Sequence, residues 1–196
     1  MNRKVNYILL SAVISFYTIL FLSCKNDKNN LIPDETTFSS ILADSTYTIR
    51  LTQLNSPRVY EFGLRFSPNV SGSITKLGCK LPKKGSYRMC LWNVNEQKQL
   101  AETTVNQTNS DLAWQAISKA SVEAGKSYYV TVISDNWFDA YPKTGGNVKY
   151  PLLKGNIQIQ AFGYVQNFIG SPSKMPTLED NTTSISGIVD FGFQIN

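Results

Sequence analysis

The 196-residue chain contains no histidine. That absence excludes Ser-His-Asp and Cys-His catalysis, histidine general bases and the ordinary histidine-containing zinc sites. Cysteine is scarce, with only Cys24, Cys79 and Cys90, and none has a histidine neighbour to turn its thiol into a nucleophile. A concentrated basic stripe is missing too. Setting Arg3 and Lys4 aside leaves 17 basic against 14 acidic residues, a net charge of +3 scattered along the chain, whereas a nucleic-acid surface needs its cations gathered on one face. From about Thr36 onward no stretch keeps a 3.6-residue apolar period, so long amphipathic helices are also excluded.

What the chain does have begins at its start. Tyr7 to Ser23 is a run of 17 uncharged, mostly apolar residues behind Arg3 and Lys4, the charged and apolar regions of an export signal. The run is shorter than the roughly 20 residues a spanning helix needs. It ends in Leu20-Phe21-Leu22-Ser23-Cys24, which resembles the lipobox of bacterial lipoproteins, with Phe21 departing from the usual aliphatic residue. The resemblance implies a signal peptide over residues 1–23, cleavage after the small Ser23, and acylation of Cys24, palmitate among the chains carried. Two or more acyl chains, at about 0.8 kcal/mol per buried CH₂, anchor a protein stably. The partner so implied is membrane lipid, and Lys25 in place of an aspartate points to the outer membrane, with the domain on its periplasmic or cell-surface side. Residues 24–35, polar, Asn-rich and interrupted by Pro33, read as a flexible tether.

Residues 36–196 read as one all-β domain, an antiparallel sandwich or jelly roll. Runs rich in Val, Ile, Tyr, Phe and Thr alternate with turn residues, giving expected strands at Thr46–Thr52, Val59–Phe66, Ser73–Leu81, Tyr87–Val94, Gln99–Val105, Trp114–Ser118, Ser127–Ser134, Asn156–Tyr164 and Gly187–Ile195. Gly63, Gly72 and Gly125 are expected at bends or turns, and Trp92 and Trp114 as anchors against a sheet. Val165 to Ser184, rich in turn residues, reads as a long surface loop that either lines a site or joins strands.

The stretches YEFGLRFSPNVSGSITKLGCKL, LWNV, AWQAIS and VEAGKSYYVTV, together covering about residues 60–133, resemble a bacterial family of secreted and surface all-β domains catalogued as a domain of unknown function, DUF4082. The resemblance implies a β-sandwich and no activity.

In an exported protein Cys79 and Cys90 invite a disulfide. If their strands form a hairpin, a two-residue turn at Lys84-Gly85 places them opposite each other. A five-residue loop, Pro82 to Ser86, instead aligns Leu77 with Leu91, Cys79 with Met89 and Leu81 with Tyr87 on one apolar face, and sets Lys76 beside Trp92. The longer loop gives the more coherent face and favours free thiols, with a Cys79–Cys90 disulfide in the shorter register as the alternative.

Function is sought in Ser134-Asp135-Asn136-Trp137-Phe138-Asp139-Ala140-Tyr141-Pro142. Trp137, Phe138 and Tyr141 offer aromatic faces for a sugar ring, and Asp135, Asn136 and Asp139 offer acceptors for its hydroxyls. The competing expectation is an aromatic plug over the open end of the sandwich. Asp135 and Asp139 are the closest suggestive acid pair for glycosidase chemistry, and with nearby carbonyls they would suit structural calcium, although no fixed-spacing calcium loop is present and no cofactor is expected. The sequence therefore points to a lipid-anchored, non-catalytic surface module that binds a glycan or another extracellular ligand. The alternatives are an adhesive or pilus-type subunit acting through protein contacts and, less favoured, a carboxylate glycosidase.

Overall fold

Apolar side chains at every second residue, Tyr60, Phe62, Leu64 and Phe66, give the segment after Arg58 one face for a core. In the protein it is a strand of a large antiparallel sheet, in a computed structural model that describes residues 33–44, 46–168, 170–180 and 184–196. These fall in the unit Pro33–Asn196, the second of two units into which the chain divides. The predicted signal peptide, Cys24 and most of the tether lie outside the described residues.

Among the described residues fourteen strands follow one another: β1 (Glu35–Thr36), β2 (Tyr47–Gln53), β3 (Val59–Pro68), β4 (Gly72–Lys80), β5 (Gly85–Asn93), β6 (Lys98–Gln107), β7 (Ala113–Val122), β8 (Tyr128–Ser134), β9 (Trp137–Pro142), β10 (Leu152–Lys154), β11 (Ile157–Asn167), β12 (Leu178–Asp180), β13 (Ile185–Ser186) and β14 (Ile188–Ile195). One helix, α1 (Thr37–Ala43), lies between the first two. The strands form a four-stranded sheet in the order β1-β14-β4-β7, a seven-stranded sheet in the order β10-β11-β3-β8-β5-β6 with β12 also on β11, and a three-stranded sheet β13-β9-β2. The expected all-β sandwich is present, and all nine expected strands occur.

The two larger sheets meet through one core that includes Leu64, Phe66, Ile74, Leu77, Met89, Leu91, Val130, Phe191 and Phe193. Phe66 of β3 and Phe191 of β14 stack across the interface with ring centroids 4.1 Å apart.

The apolar face deduced for Leu77, Cys79, Leu81, Tyr87, Met89 and Leu91 exists, but not in a hairpin. Strand β4 pairs with β14 and β7, whereas β5 pairs with β6 and β8. Pro82 to Lys84 cross from one sheet to the other. The Gln107 amide anchors the start of that crossing, accepting from Leu81 N at 2.8 Å and donating to Leu81 O at 2.6 Å. The six residues are all buried and share one core across the two sheets. Cys79 belongs to this core, while Cys90 sits in a separate cluster with Trp92 and Tyr129. Both thiols are buried and free. The Cys79–Cys90 pairing is thus corrected at its premise, since the strands that carry the two residues are not neighbours. Lys76 likewise lies over Trp114, 4.8 Å from the ring centroid, and not over Trp92.

Asp34 and Glu35, assigned above to the tether, are held by the domain. Asp34 pairs with Lys76 at 3.0 Å, and Glu35 accepts from Asn156 N at 2.9 Å and Asn156 Nδ2 at 2.5 Å. Burial raises the Asp34 carboxyl, but Lys76 and the Thr75 hydroxyl outweigh it and hold the pKa below the usual value. Helix α1 is a second departure from the strand-only expectation. It has no side-chain cap of its own, and its first amides are received by Asp190 of β14.

The Val165–Ser184 segment begins as the end of β11 and then crosses the outer side of the seven-stranded sheet to β12. Glu61 fixes it there, accepting from Lys174 N at 2.5 Å, Asn167 Nδ2 at 3.3 Å and Thr131 Oγ1 at 2.7 Å. Met175 packs on Cys90, Trp92 and Tyr129. Burial pushes the Glu61 pKa up, against the Lys174 amide, the Thr131 hydroxyl and the Arg88 charge. A carboxyl with a raised folded pKa contributes most below its unfolded pKa and loses that contribution as pH rises through the folded value. Thermal stability is therefore expected to fall from mildly acidic to neutral pH. Glu61→Gln should flatten that slope, leaving the share from Asp190, which burial also raises. Melting curves from pH 4.5 to 7.5 check this, and a variant slope equal to the wild-type slope would refute the assignment to Glu61.

Candidate functional site

The inward face of β3 carries Tyr60 and Phe62, and that of β11 carries Phe162 and Tyr164. Antiparallel pairing sets Tyr164 opposite Phe62, so the four rings form a continuous aromatic surface. Phe162 and Tyr164 stack at 6.1 Å, Phe62 lies 6.5 Å from Phe162, and Tyr60 lies 6.3 Å from Tyr164. Strand β9 brings Trp137 against this surface, 6.0 Å from Tyr60 with planes at 89° and 5.7 Å from Phe62 at 63°. These are edge-to-face distances that aromatic quadrupoles favour.

The rings border a cavity of about 390 Å³, lined by Tyr60, Phe62, Trp137, Phe162, Tyr164, Gln53, Ser56 and Ser186. That volume suits a small ligand. Among the described residues no charged side chain lines it. Phe62 and Phe162, only 2% and 4% exposed, are the most buried of its lining residues, whereas Tyr60, Trp137 and Tyr164 are half-buried. Gly187, next to the lining residue Ser186, backs the Phe62 ring: its φ is +79°, and a Cβ there would overlap that ring. Gly187→Ala should cost about 1–2 kcal/mol for the left-handed backbone alone, with the displacement of Phe62 added, read as a lowered denaturation midpoint.

The cavity's polar groups retain unused hydrogen-bonding capacity. The Tyr60, Tyr164 and Ser186 hydroxyls make no hydrogen bond to another described residue. Ser56 Oγ accepts from Arg58 N at 3.2 Å and keeps its own hydrogen to donate. Gln53 Nε2 donates to Leu54 O at 3.3 Å, which leaves its amide oxygen as an acceptor.

Of the six residues singled out in Asp135 to Tyr141, the structure brings Trp137 alone to this cavity. The segment is largely a strand, not a loop, and strand alternation separates its side chains. Phe138 packs on the core beside Ala140. Asn136 is buried, donating to Ser134 Oγ at 3.0 Å and accepting from Lys83 N at 3.3 Å. Asp135 pairs with Lys83 at 3.5 Å and lines a separate cavity of about 370 Å³ with Arg88. Burial raises its pKa, but the Asn136 amide and the Lys83 charge outweigh this and hold it below the usual value. Asp139 is buried and accepts from Tyr141 Oη at 3.1 Å and Ser184 Oγ at 3.4 Å, its Oδ1 unpaired. Tyr141 lies under Arg50, 5.4 Å from the guanidinium carbon. The two acids therefore have separate surroundings, and among the described residues no three Cys, Asp or Glu side chains gather as a metal site.

Tyr60, Phe62, Phe162 and Tyr164 were missed as site residues. The alternation in Val59–Phe66 places Tyr60 and Phe62 on one face, but only pairing with β11, about a hundred residues later, completes the surface. None of the described residues of the Val165–Ser184 segment lines this cavity, and its middle part joins β11 to β12. Burial pushes the Cys79 thiol up to about 12 and raises Cys90 as well, so both remain protonated at neutral pH and neither is an activated nucleophile.

No protein-family model matches the chain, and no curated protein sequence matches it.

Proposed function

We propose that this protein is a lipid-anchored surface module that binds an uncharged saccharide, without catalysis, in the aromatic cavity of Tyr60, Phe62, Trp137, Phe162 and Tyr164. The observation that carries the reading is the pairing of five aromatic side chains with neutral hydrogen-bonding groups around one cavity. Aromatic faces take the C–H surface of a sugar ring, and the hydroxyl and amide groups of Tyr60, Tyr164, Ser56, Ser186 and Gln53 meet its hydroxyls. The acids offer little for hydrolysis, because Asp135 is engaged by Lys83 and Asp139 by its own donors.

The anchor rests on the sequence: an acylated Cys24 tethers the module to the outer membrane, and the DUF4082-like stretches accord with a surface domain. Mass spectrometry of the mature N-terminus tests it, and an unmodified Cys24 still joined to Phe21-Leu22-Ser23 would sink the idea.

Trp137→Ala tests the cavity. Removing a central aromatic anchor should cost about 2 kcal/mol of binding, roughly thirtyfold in affinity, with the melting temperature shifted by only a few degrees because Trp137 is half-buried. A large loss of stability with unchanged glycan retention would identify Trp137 as a plug.

One observation favours a second reading. Strand β2 is an edge of its sheet and exposes Ile49 and Leu51, with Leu54 just beyond it. An exposed apolar edge is a template for pairing with another chain, as an adhesive subunit would require.

A further inference from the structure

Resting on the saccharide reading of this cavity, we infer that the sugar it takes is an uncharged 2-acetamido sugar, its acetyl methyl seated against Phe62 and Phe162 and its amide met by the polar groups around them. The cavity is not uniform. Its most buried lining residues, Phe62 and Phe162, present hydrocarbon only, while its hydroxyls and the Gln53 amide belong to residues that are half-buried.

A plain hexose carries a hydroxyl or ring oxygen on nearly every carbon. Whichever edge entered most deeply would bring a hydroxyl against hydrocarbon, and a buried polar group without a partner costs about 1–3 kcal/mol. An acetamido group reverses that balance. Its terminal methyl has no hydrogen bond to lose and gains by leaving water. Its amide then needs one acceptor and one donor. The free Gln53 oxygen supplies the first, and the hydroxyl of Ser56, Ser186, Tyr60 or Tyr164 the second.

The lining also selects against charge. Uronic acids, sialic acids and the carboxyl-bearing muramic acid would have to give up water in a cavity to which the described residues present no cation, and an unpaired carboxylate is costly to desolvate. A free amino sugar, cationic at neutral pH, meets the same obstacle, with no carboxylate among the described lining residues to pair it. The chemistry therefore favours a homopolymer or terminal residue of acetamido sugar over a wall fragment whose neighbouring sugar is anionic.

Calorimetric titration of the purified protein with triacetylchitotriose, cellotriose, trigalacturonic acid and an N-acetylglucosamine–N-acetylmuramic acid disaccharide tests this. The expected result is binding of triacetylchitotriose at least tenfold tighter than cellotriose, weaker binding of the muramic disaccharide, and none of the galacturonate. Gln53→Leu should erase most of the preference for the acetylated sugar, read as the ratio of the triacetylchitotriose and cellotriose affinities. Equal or tighter binding of cellotriose would overturn the acetamido inference and leave the saccharide reading standing. Equal or tighter binding of either anionic sugar would overturn the charge argument within it. Absence of heat and of competition with all four sugars would overturn both.

Discussion

Gly63→Ala should destabilise the protein by about 4 kcal/mol or more, at the exceptional end for a single methyl group. Gly63 lies mid-strand in β3, opposite Thr131 of β8 on one side and Gly163 of β11 on the other. A Cβ at this position would overlap the Val130 carbonyl oxygen and stand 2.8 Å from Thr131 Cα. Both are backbone atoms, so no rotamer change relieves the clash and the central β3–β8 pairing must part. The paired Gly163 serves a related purpose, because Tyr129 lies across it to donate to Glu179 Oε1 at 2.9 Å. With a total stability of order 5–15 kcal/mol for an ordinary domain, the variant should unfold at much lower denaturant or fail to accumulate as folded protein. Gly85→Ala is the matched control. Its Cβ would meet only the Tyr87 ring at ordinary contact distance, 3.4 Å, and it should remain within about 0.5 kcal/mol of wild type. Urea unfolding followed by tryptophan fluorescence reads both, and equal midpoints for the two variants would refute the close-approach argument.

Asp190→Ala is the second large effect expected. The Asp190 carboxylate accepts from Phe38 N at 3.2 Å, Ser39 N at 2.7 Å, Ser39 Oγ at 2.5 Å and Phe191 N at 2.9 Å. It performs the work of an N-cap for α1 from a strand 152 residues away in sequence. Loss of a cap costs about 0.5–2 kcal/mol, and each buried donor left unpaired about 1–3 kcal/mol. A combined loss of about 3–5 kcal/mol follows, a fall of roughly 10 °C in melting temperature for a domain of this size. Asp190→Asn keeps an acceptor oxygen and removes a buried charge, so it should recover most of the loss. Because α1 inserts Phe38 and Ile41 into the core, the alanine variant should also become cleavable between Glu35 and Asp44 before the sandwich unfolds. Cleavage no faster than in wild type would show that the helix is held by its apolar face alone.

These two residues mark how far the sequence could be read. Gly63 was legible as a glycine in a strand-like run, and a bend was the natural expectation. Its reason is the nearness of another strand's carbonyl, which no local pattern encodes. The strands themselves were legible because alternation and β-branched residues act over neighbours in sequence. Helix α1 was not, since seven residues give too few turns to show a period and its cap is remote. The candidate site was half legible. Trp137 was found from its aromatic neighbours, yet strand alternation sends Phe138 elsewhere, and the rings that do join Trp137 come from β3 and β11.

By itself, the sequence determined the all-β class, the positions of the nine main strands, the exclusion of histidine chemistry and the inward set Leu77, Cys79, Leu81, Tyr87, Met89 and Leu91. Each depends on side-chain type or on a two-residue period, both local properties. The tertiary structure alone decided that β4 and β5 belong to different sheets, which keeps Cys79 and Cys90 in separate clusters. It also decided that Tyr60, Phe62, Phe162 and Tyr164 meet Trp137 around one cavity. Strand partners are chosen by how whole faces bury against each other, and a face can be read from a segment before its partner can.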